Sequence, residues 1–246
     1  VMTPDARRLF RALEATWPAH AAHKLGPWLL REGRGGGKRV SAASAHAPAT
    51  HADLAQAEGA MDSMGQPRCF MIRGGETGLD ALLAQAGYEV IDPVTIYAAP
   101  LDALKMDTPA PTASFHLWEP LAIQHEIWHS GGIGPARIDV MYRAGGAKTA
   151  LMGRRDGHVV ATGFAAIDGA TAMVHALEVL PGYRRQGVAR ALMLEAARWA
   201  IPLSAAHLAV ACTATNSAAT ALYTSMGMRS ACRYHYRQQP ASGARA

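Results

Sequence analysis

The densest run of chemistry-bearing residues is Leu177-Glu178-Val179-Leu180-Pro181-Gly182-Tyr183-Arg184-Arg185-Gln186-Gly187-Val188-Ala189-Arg190. A strand stops at Pro181, a basic turn follows, and Gly187 opens a strongly apolar helix. The first amides of a helix have no intrahelical acceptor, and the dipole there is positive. Such an end binds phosphate. Gly187 lets a backbone approach closely, and Ala189 keeps the helix surface slim. Arg184, Arg185 and Arg190 add charge. The same residues also read as an ordinary strand, turn and helix with a solvated basic turn.

A second cluster, His125-Glu126-Ile127-Trp128-His129, fits the H-E-x-x-H zinc pattern, two ligands one helical turn apart with a glutamate base. The extended pattern needs a third histidine where Pro135 stands, and the glycines after His129 break the helix. A zinc hydrolase is therefore a remote alternative, and no metal is expected. This helix is instead expected to line an acceptor side, with Trp128 or His129 touching substrate. Residues 33–38 imitate a P-loop, but Glu32 stands where the first glycine belongs and Arg39 replaces Ser/Thr. A hairpin turn is the better reading.

The elements that must hold these residues follow from periodicity. Leu9, Leu13 and Trp17 recur at spacing four and predict a helix stopped by Pro18. Strands are expected at 27–31 and 39–43, a helix at 53–64, a strand at 69–73 and a helix at 78–85. A strand follows at 90–98, where Pro93 marks an edge or bulge. Residues 100–114, with three prolines, read as a linker. Helices follow at 120–129 and 136–143, then strands at 150–155, 159–167 and 172–180. Residues 187–201 form a helix with Val188, Leu192, Ala196 and Trp199 on one face. A strand at 207–212, a helix at 217–226, a strand at 228–237 and a loose tail at 238–246 complete the chain. Two domains, 1–105 and 113–246, are expected from this division and from the length of 246 residues.

Composition excludes several classes. Apolar residues make up 50% and charged residues 17%, which suits a globular chain rather than a disordered one. No apolar run approaches a membrane span. The first residues, Val-Met-Thr-Pro-Asp-Ala-Arg-Arg, lack the apolar core of a secretory signal. Cys69, Cys212 and Cys232 are odd in number and form no C-x-x-C pair, which argues for a reducing compartment and a cytoplasmic location. Residues 1–110 carry 11 basic and 12 acidic side chains, and residues 111–246 carry 13 and 7, so the second half is the one suited to an anion. No interleaving of aromatic and basic residues supports nucleic acid.

Arg184-Arg185-Gln186-Gly187-Val188-Ala189 resembles the Q/R-x-x-G-x-G/A signature of the GCN5-related N-acetyltransferases. Downstream, Asn216-Ser217-Ala218-Ala219-Thr220-Ala221-Leu222-Tyr223, then Gly227, resembles that family's second motif, with Met228 in place of Phe. The resemblance covers roughly 113–237. It implies an α/β (α+β) fold: a mixed, mostly antiparallel sheet flanked by helices in a C-terminal catalytic domain. Residues 1–105 resemble the smaller, degenerate half of two-domain members. It further implies acetyl-coenzyme A as cosubstrate. The strand before the signature splays from its neighbour, and the pantetheine arm binds backbone there, at Leu177 and Val179. Arg184, Arg185, Gln186, Gly187, Val188, Ala189, Arg190 and Asn216 complete the cofactor set.

Tyr223 matches the family's general acid, which would protonate the leaving thiolate; a core aromatic is the plain alternative. The positions of the family's two usual bases hold Ala211 and Met173. His175 shares the strand face of Met173 and is the first candidate base. Glu178 is the second, aimed oppositely unless a bulge intervenes. No cysteine in these motifs stands as an acyl carrier, so direct attack in a ternary complex is expected. The acceptor is an amine, small molecule or peptide, with no nucleic acid and no membrane involved. The protein is expected as a monomer or homodimer. A non-catalytic coenzyme A-binding protein is the alternative.

Overall fold

The computed structural model describes residues 4–106 and 113–240. Part of the expected linker and most of the expected tail lie outside them. The described chain runs α1 (Ala6–Thr16), β1 (Ala21–Leu25), β2 (Trp28–Glu32), α2 (Lys38–Ser41), β3 (Ser44–Ala45), α3 (His51–Ser63), β4 (Cys69–Arg73), α4 (Thr77–Gln85) and β5 (Glu89–Pro100). It continues with β6 (Ala113–Leu117), α5 (Ala122–Ser130), α6 (Pro135–Arg143), β7 (Lys148–Arg155), β8 (His158–Asp168) and β9 (Thr171–Val179). It ends with α7 (Val188–Ala200), β10 (His207–Thr213), α8 (Ser217–Ser225) and β11 (Arg229–Gln238).

Two compact units emerge, and their limits differ from the expected 1–105 and 113–246. Among the described residues, one unit holds the chain up to Pro18, Ile96–Cys212 and Asn216–Ala231; the other holds Ala19–Thr95, Thr213–Thr215 and the chain from Cys232. The helix predicted from Leu9 and Leu13 thus belongs with the second half. Its buried Leu9, Phe10 and Leu13 form the apolar stripe, and Asp5 caps its start by accepting from the Arg8 amide.

In the first unit the strands lie in the order β10-β9-β8-β7-β6. Every neighbouring pair is antiparallel except β9 with β10. Ala172, Met173 and Val174 are consecutive and buried, as a strand covered on both faces requires. On one face α7 packs Val188, Leu192 and Ala196 against Leu151, Ala161, Ala165 and Val174. The other face presents Phe164 and His175 to α1, and Thr162 to α5. The edge strand β6 was not expected; it begins at the end of the expected linker, with Ala113 and Ser114. Its alternation is inverted: Ser114 and His116 bond the buried Glu195 carboxylate on α7, at 3.1 and 2.7 Å, while Phe115 is exposed.

The second unit centres on Trp28, Phe70, Met61, Leu83 and Tyr88. Its small sheet is β1-β2-β3, and β11 pairs antiparallel with β4. The strand expected at 39–43 is not one: Gly37 turns the chain at φ 94° and Lys38–Ser41 form the short helix α2. Val40, Ala42 and Ala43 are all buried, a spacing that strand alternation does not produce. Thr50 and Asp53 form a capping box that starts α3.

Candidate functional site

β9 and β10 pair only from Thr171↔His207 to Val174↔Val210, although β9 runs on to Val179 and β10 to Thr213. Past Val174 the pairing with β10 ends, and Leu177 and Val179 lie in the stretch of β9 beyond it. The Val179 carbonyl accepts Arg184 Nε at 3.0 Å. The following turn is braced by Gln186 Nε2 donating to the Gly182 carbonyl and Arg155 donating to the Gln186 carbonyl. Arg185 and Gly187 both take left-handed backbone, at φ 63° and 80°. Such alternation turns successive amides into one concavity, a nest for anions. No side chain caps the start of α7. The residues present therefore fit a diphosphate. Val188 is buried in the core, so only its amide is on offer. Arg190 is turned away, donating to the Lys105 carbonyl at 2.9 Å and to Ser225 Oγ at 3.5 Å.

Asn216 caps α8 with its side chain, accepting from the Ala219 amide at 3.0 Å. Seven residues on, Tyr223 is 4% exposed and packs against the Tyr97 ring, centroids 5.6 Å apart. Its hydroxyl has no hydrogen-bond partner among the described residues. Burial, then the neighbouring Cys212 and Tyr97, push the phenol above its ordinary range. It therefore stays protonated at neutral pH, as an acid must. Tyr97 donates to Thr220 Oγ1 at 3.3 Å, and Thr220 hydrogen-bonds the Cys212 thiol. Burial pushes that thiol up as well, which makes it a poor nucleophile. Tyr97 was not singled out from sequence; it lies far upstream, in β5, where no motif flags it.

His175 and Glu178 stand in different surroundings. His175 is 4% exposed, its Nε2 2.7 Å from Thr16 Oγ1 and its ring 5.1 Å from Trp17. Between them the register breaks: Phe164 faces His175 and Thr162 faces Glu178, so three steps along β9 match two along β8. The extra residue marks a bulge, with Ala176 at φ 50°. Cross-strand partners share a face, so the bulge turns Glu178 to the side of His175. Burial raises the Glu178 carboxyl, opposed by Arg184 and Arg137.

Helix α5 covers this side. Gln124 is fully buried and donates to the Leu151 carbonyl and to Thr162 Oγ1. Trp128, expected to reach substrate, is also fully buried; its indole donates to the Ala176 carbonyl at 2.8 Å. His129 is exposed and His125 half-buried. Among the described residues no three His, Cys, Asp or Glu side chains gather as a metal-binding group. Nor is any described helix long and apolar enough to cross a membrane.

Residues 117–228 match the family model of the acetyltransferase (GNAT) family. The matched stretch contains both motifs, 184–189 and 216–228. The whole chain is 26% identical over 242 residues to the uncharacterized N-acetyltransferase YobR of Bacillus subtilis, covering 95% of this chain and 98% of that one. Its fold is similar to a GCN5-related N-acetyltransferase from Kribbella flavida, with TM-score 0.74, 18% identity and 96% of each chain covered. It is also similar to a tandem GNAT protein from the clavulanic acid biosynthesis pathway, with TM-score 0.61, 14% identity, and 81% of this chain and 76% of that one covered. Within residues 117–228, the end of β9 unpaired with β10, the nest and Tyr223 lie on the elements that the two motifs marked.

Proposed function

We propose that the protein transfers the acetyl group of acetyl-coenzyme A to a primary amine by direct attack in a ternary complex. One observation carries the reading: β9 parts from β10 after Val174↔Val210, in the unit where a buried phenol, Tyr223, has no partner of its own. The backbone of Leu177 and Val179 would hold the pantetheine arm, and the nest at 184–187 with the start of α7 would hold the diphosphate. Glu178 would take the proton of the attacking amine, directly or through a water. Tyr223 would give its proton to the departing thiolate. His175, engaged by Thr16, serves packing. With its thiol held protonated, Cys212 offers no acyl carrier, which favours direct transfer. The unit around Trp28 and Phe70 would be a companion without a cofactor site.

The test is thiol release from acetyl-coenzyme A across a panel of small amines and peptide amino termini. Amine-dependent release is expected, falling by about 10²–10⁴-fold in Glu178→Gln and in Tyr223→Phe. Calorimetric binding of coenzyme A with no release from any amine would leave the alternative, a binding protein without turnover. No binding at all would overturn both.

A further inference from the structure

Gly131 closes α5 with φ −85° and ψ 6°, a backbone open to any residue. It needs to be glycine for a different reason. A Cβ there would lie 2.5 Å from Glu178 Cδ, 2.7 Å from Oε2 and 2.8 Å from Cγ. The Glu178 carboxylate fills the volume a methyl group would take. One turn earlier, the Trp128 indole donates to the Ala176 carbonyl at 2.8 Å, and Ala176 is the left-handed residue of the β9 bulge. Both contacts come from the end of α5 and act on one irregularity of β9. Trp128 holds the bulge that turns Glu178 to this side; Gly131 leaves the slot into which its carboxylate fits.

We infer that the C-terminal end of α5 is a seat for the base: Gly131 and Trp128 are positioning residues that fix where the Glu178 carboxylate meets the acceptor amine. This rests on Glu178 acting as the base. Gly131→Ala is a clean probe, because only the far end of a flexible side chain must move. The fold persists while the carboxylate swings toward solvent. The charged groups acting on it are Arg137 and Arg184, both of which favour the ionised form. Release from burial then adds to their effect, and the carboxyl titrates at lower pH.

The experiment compares wild type, Gly131→Ala, Glu178→Gln and the double variant. It uses acetyl-coenzyme A with whichever amine the panel yields. In Gly131→Ala the melting temperature and the KM for acetyl-coenzyme A are expected to hold. The value of kcat falls by about 10²-fold, the scale of an ångström misplacement. The ascending limb of the pH profile moves down. In the Glu178→Gln background the same change costs nothing further, because the group it displaces is gone. Wild-type kcat and pH profile in Gly131→Ala, or an equal loss in the Gln background, overturn the seat. A second readout needs no turnover: the carboxyl carbon of Glu178, assigned by its loss in Glu178→Gln, is titrated by NMR. A lower midpoint in Gly131→Ala supports the seat even if no amine is ever acetylated; an unchanged midpoint overturns it.

Discussion

Thr16 Oγ1 lies 2.7 Å from His175 Nε2 and 2.6 Å from the Ala12 carbonyl. A hydroxyl has one proton, and the carbonyl can only accept it, so the imidazole must be the donor at Nε2. That fixes the tautomer and commits the ring to α1. Replacing Thr16 with Val keeps the shape but strands a buried N–H, which is expected to cost about 1–3 kcal/mol of stability in urea unfolding. Turnover of the folded fraction is expected to stay at the wild-type level. A selective fall in kcat, with stability intact, would return His175 to the chemistry.

Glu178 links activity to stability with a definite sign. Its folded-state carboxyl titrates above the usual range because burial penalises the charge. A raised carboxyl contributes stability that is full below the unfolded pKa, about 4.3, and is lost as pH rises through the folded value. At neutral pH the protein therefore carries a half-buried charge that Glu178→Gln removes. The variant is expected to melt higher than wild type at pH 7, with the difference shrinking toward pH 4. A variant less stable at pH 7 would mean that Arg137 and Arg184 outweigh the burial. The same sign places the ascending limb of the rate profile above the ordinary carboxylate range.

The elements around the two motifs were legible because local sequence and structure coincide there: Gly187 stands where a positive φ is needed, and Asn216 where a helix needs a cap. The surroundings of the proposed base were harder to read. Strand alternation set Glu178 against His175, and only the bulge at Ala176 reverses it. Nothing in Ala-Leu-Glu-Val announces a left-handed alanine; the Trp128 indole, 48 residues upstream, hydrogen-bonds the carbonyl of that residue. Gly131 looked like a helix breaker, whereas its lack of a side chain matters through space. The edge strands β1 and β6 were missed for another reason. Both are short and mostly exposed; β1 has no alternation, and in β6 the polar Ser114 and His116 are the ones that bond the buried Glu195.

The H-E-x-x-H segment yields a prediction about metal. His125 and His129 are one turn apart on α5, but a tight zinc site needs a third protein ligand. Protein purified without added metal is expected to hold well under one zinc per chain, and His129→Ala is expected to leave that content unchanged. Stoichiometric zinc lost in His129→Ala would revive the hydrolase reading.

Gly187 combines two requirements that substitution can separate. At φ 80° alanine is strained by about 1–3 kcal/mol, whereas asparagine tolerates this region far better. Gly187→Asn is therefore expected to fold with a small loss in melting temperature. It still adds a side chain where the diphosphate would approach the start of α7, so coenzyme A affinity by calorimetry is expected to fall more than stability does. Equal affinity in wild type and Gly187→Asn would remove Gly187 from the cradle. The affinity that Arg184 and Arg185 would supply is also expected to weaken as salt is raised, because the proposed partner, a diphosphate, is an anion.

Tyr223 is the proposed acid for the leaving thiolate. Its ring is held by Tyr97 and by the buried surface of α8, while its hydroxyl makes no bond to the described residues. Tyr223→Phe is therefore expected to leave stability nearly unchanged. It is expected to lower kcat by about 10²–10⁴-fold, the worth of a positioned acid. Acetyl-coenzyme A affinity is expected to hold, because the proton matters once negative charge builds on sulfur. Tyr97 makes the assignment testable from a second side. Its hydroxyl is committed to Thr220, so it cannot serve as the acid, but its ring sets the lateral position of the phenol. Tyr97→Leu is expected to reduce kcat in the wild-type background and to have little effect once Tyr223 is Phe, since coupled residues do not add. Losses that add fully would mean Tyr97 acts on something other than the phenol. A Tyr223→Phe variant altered only in KM would make Tyr223 a wall of the pocket rather than its acid.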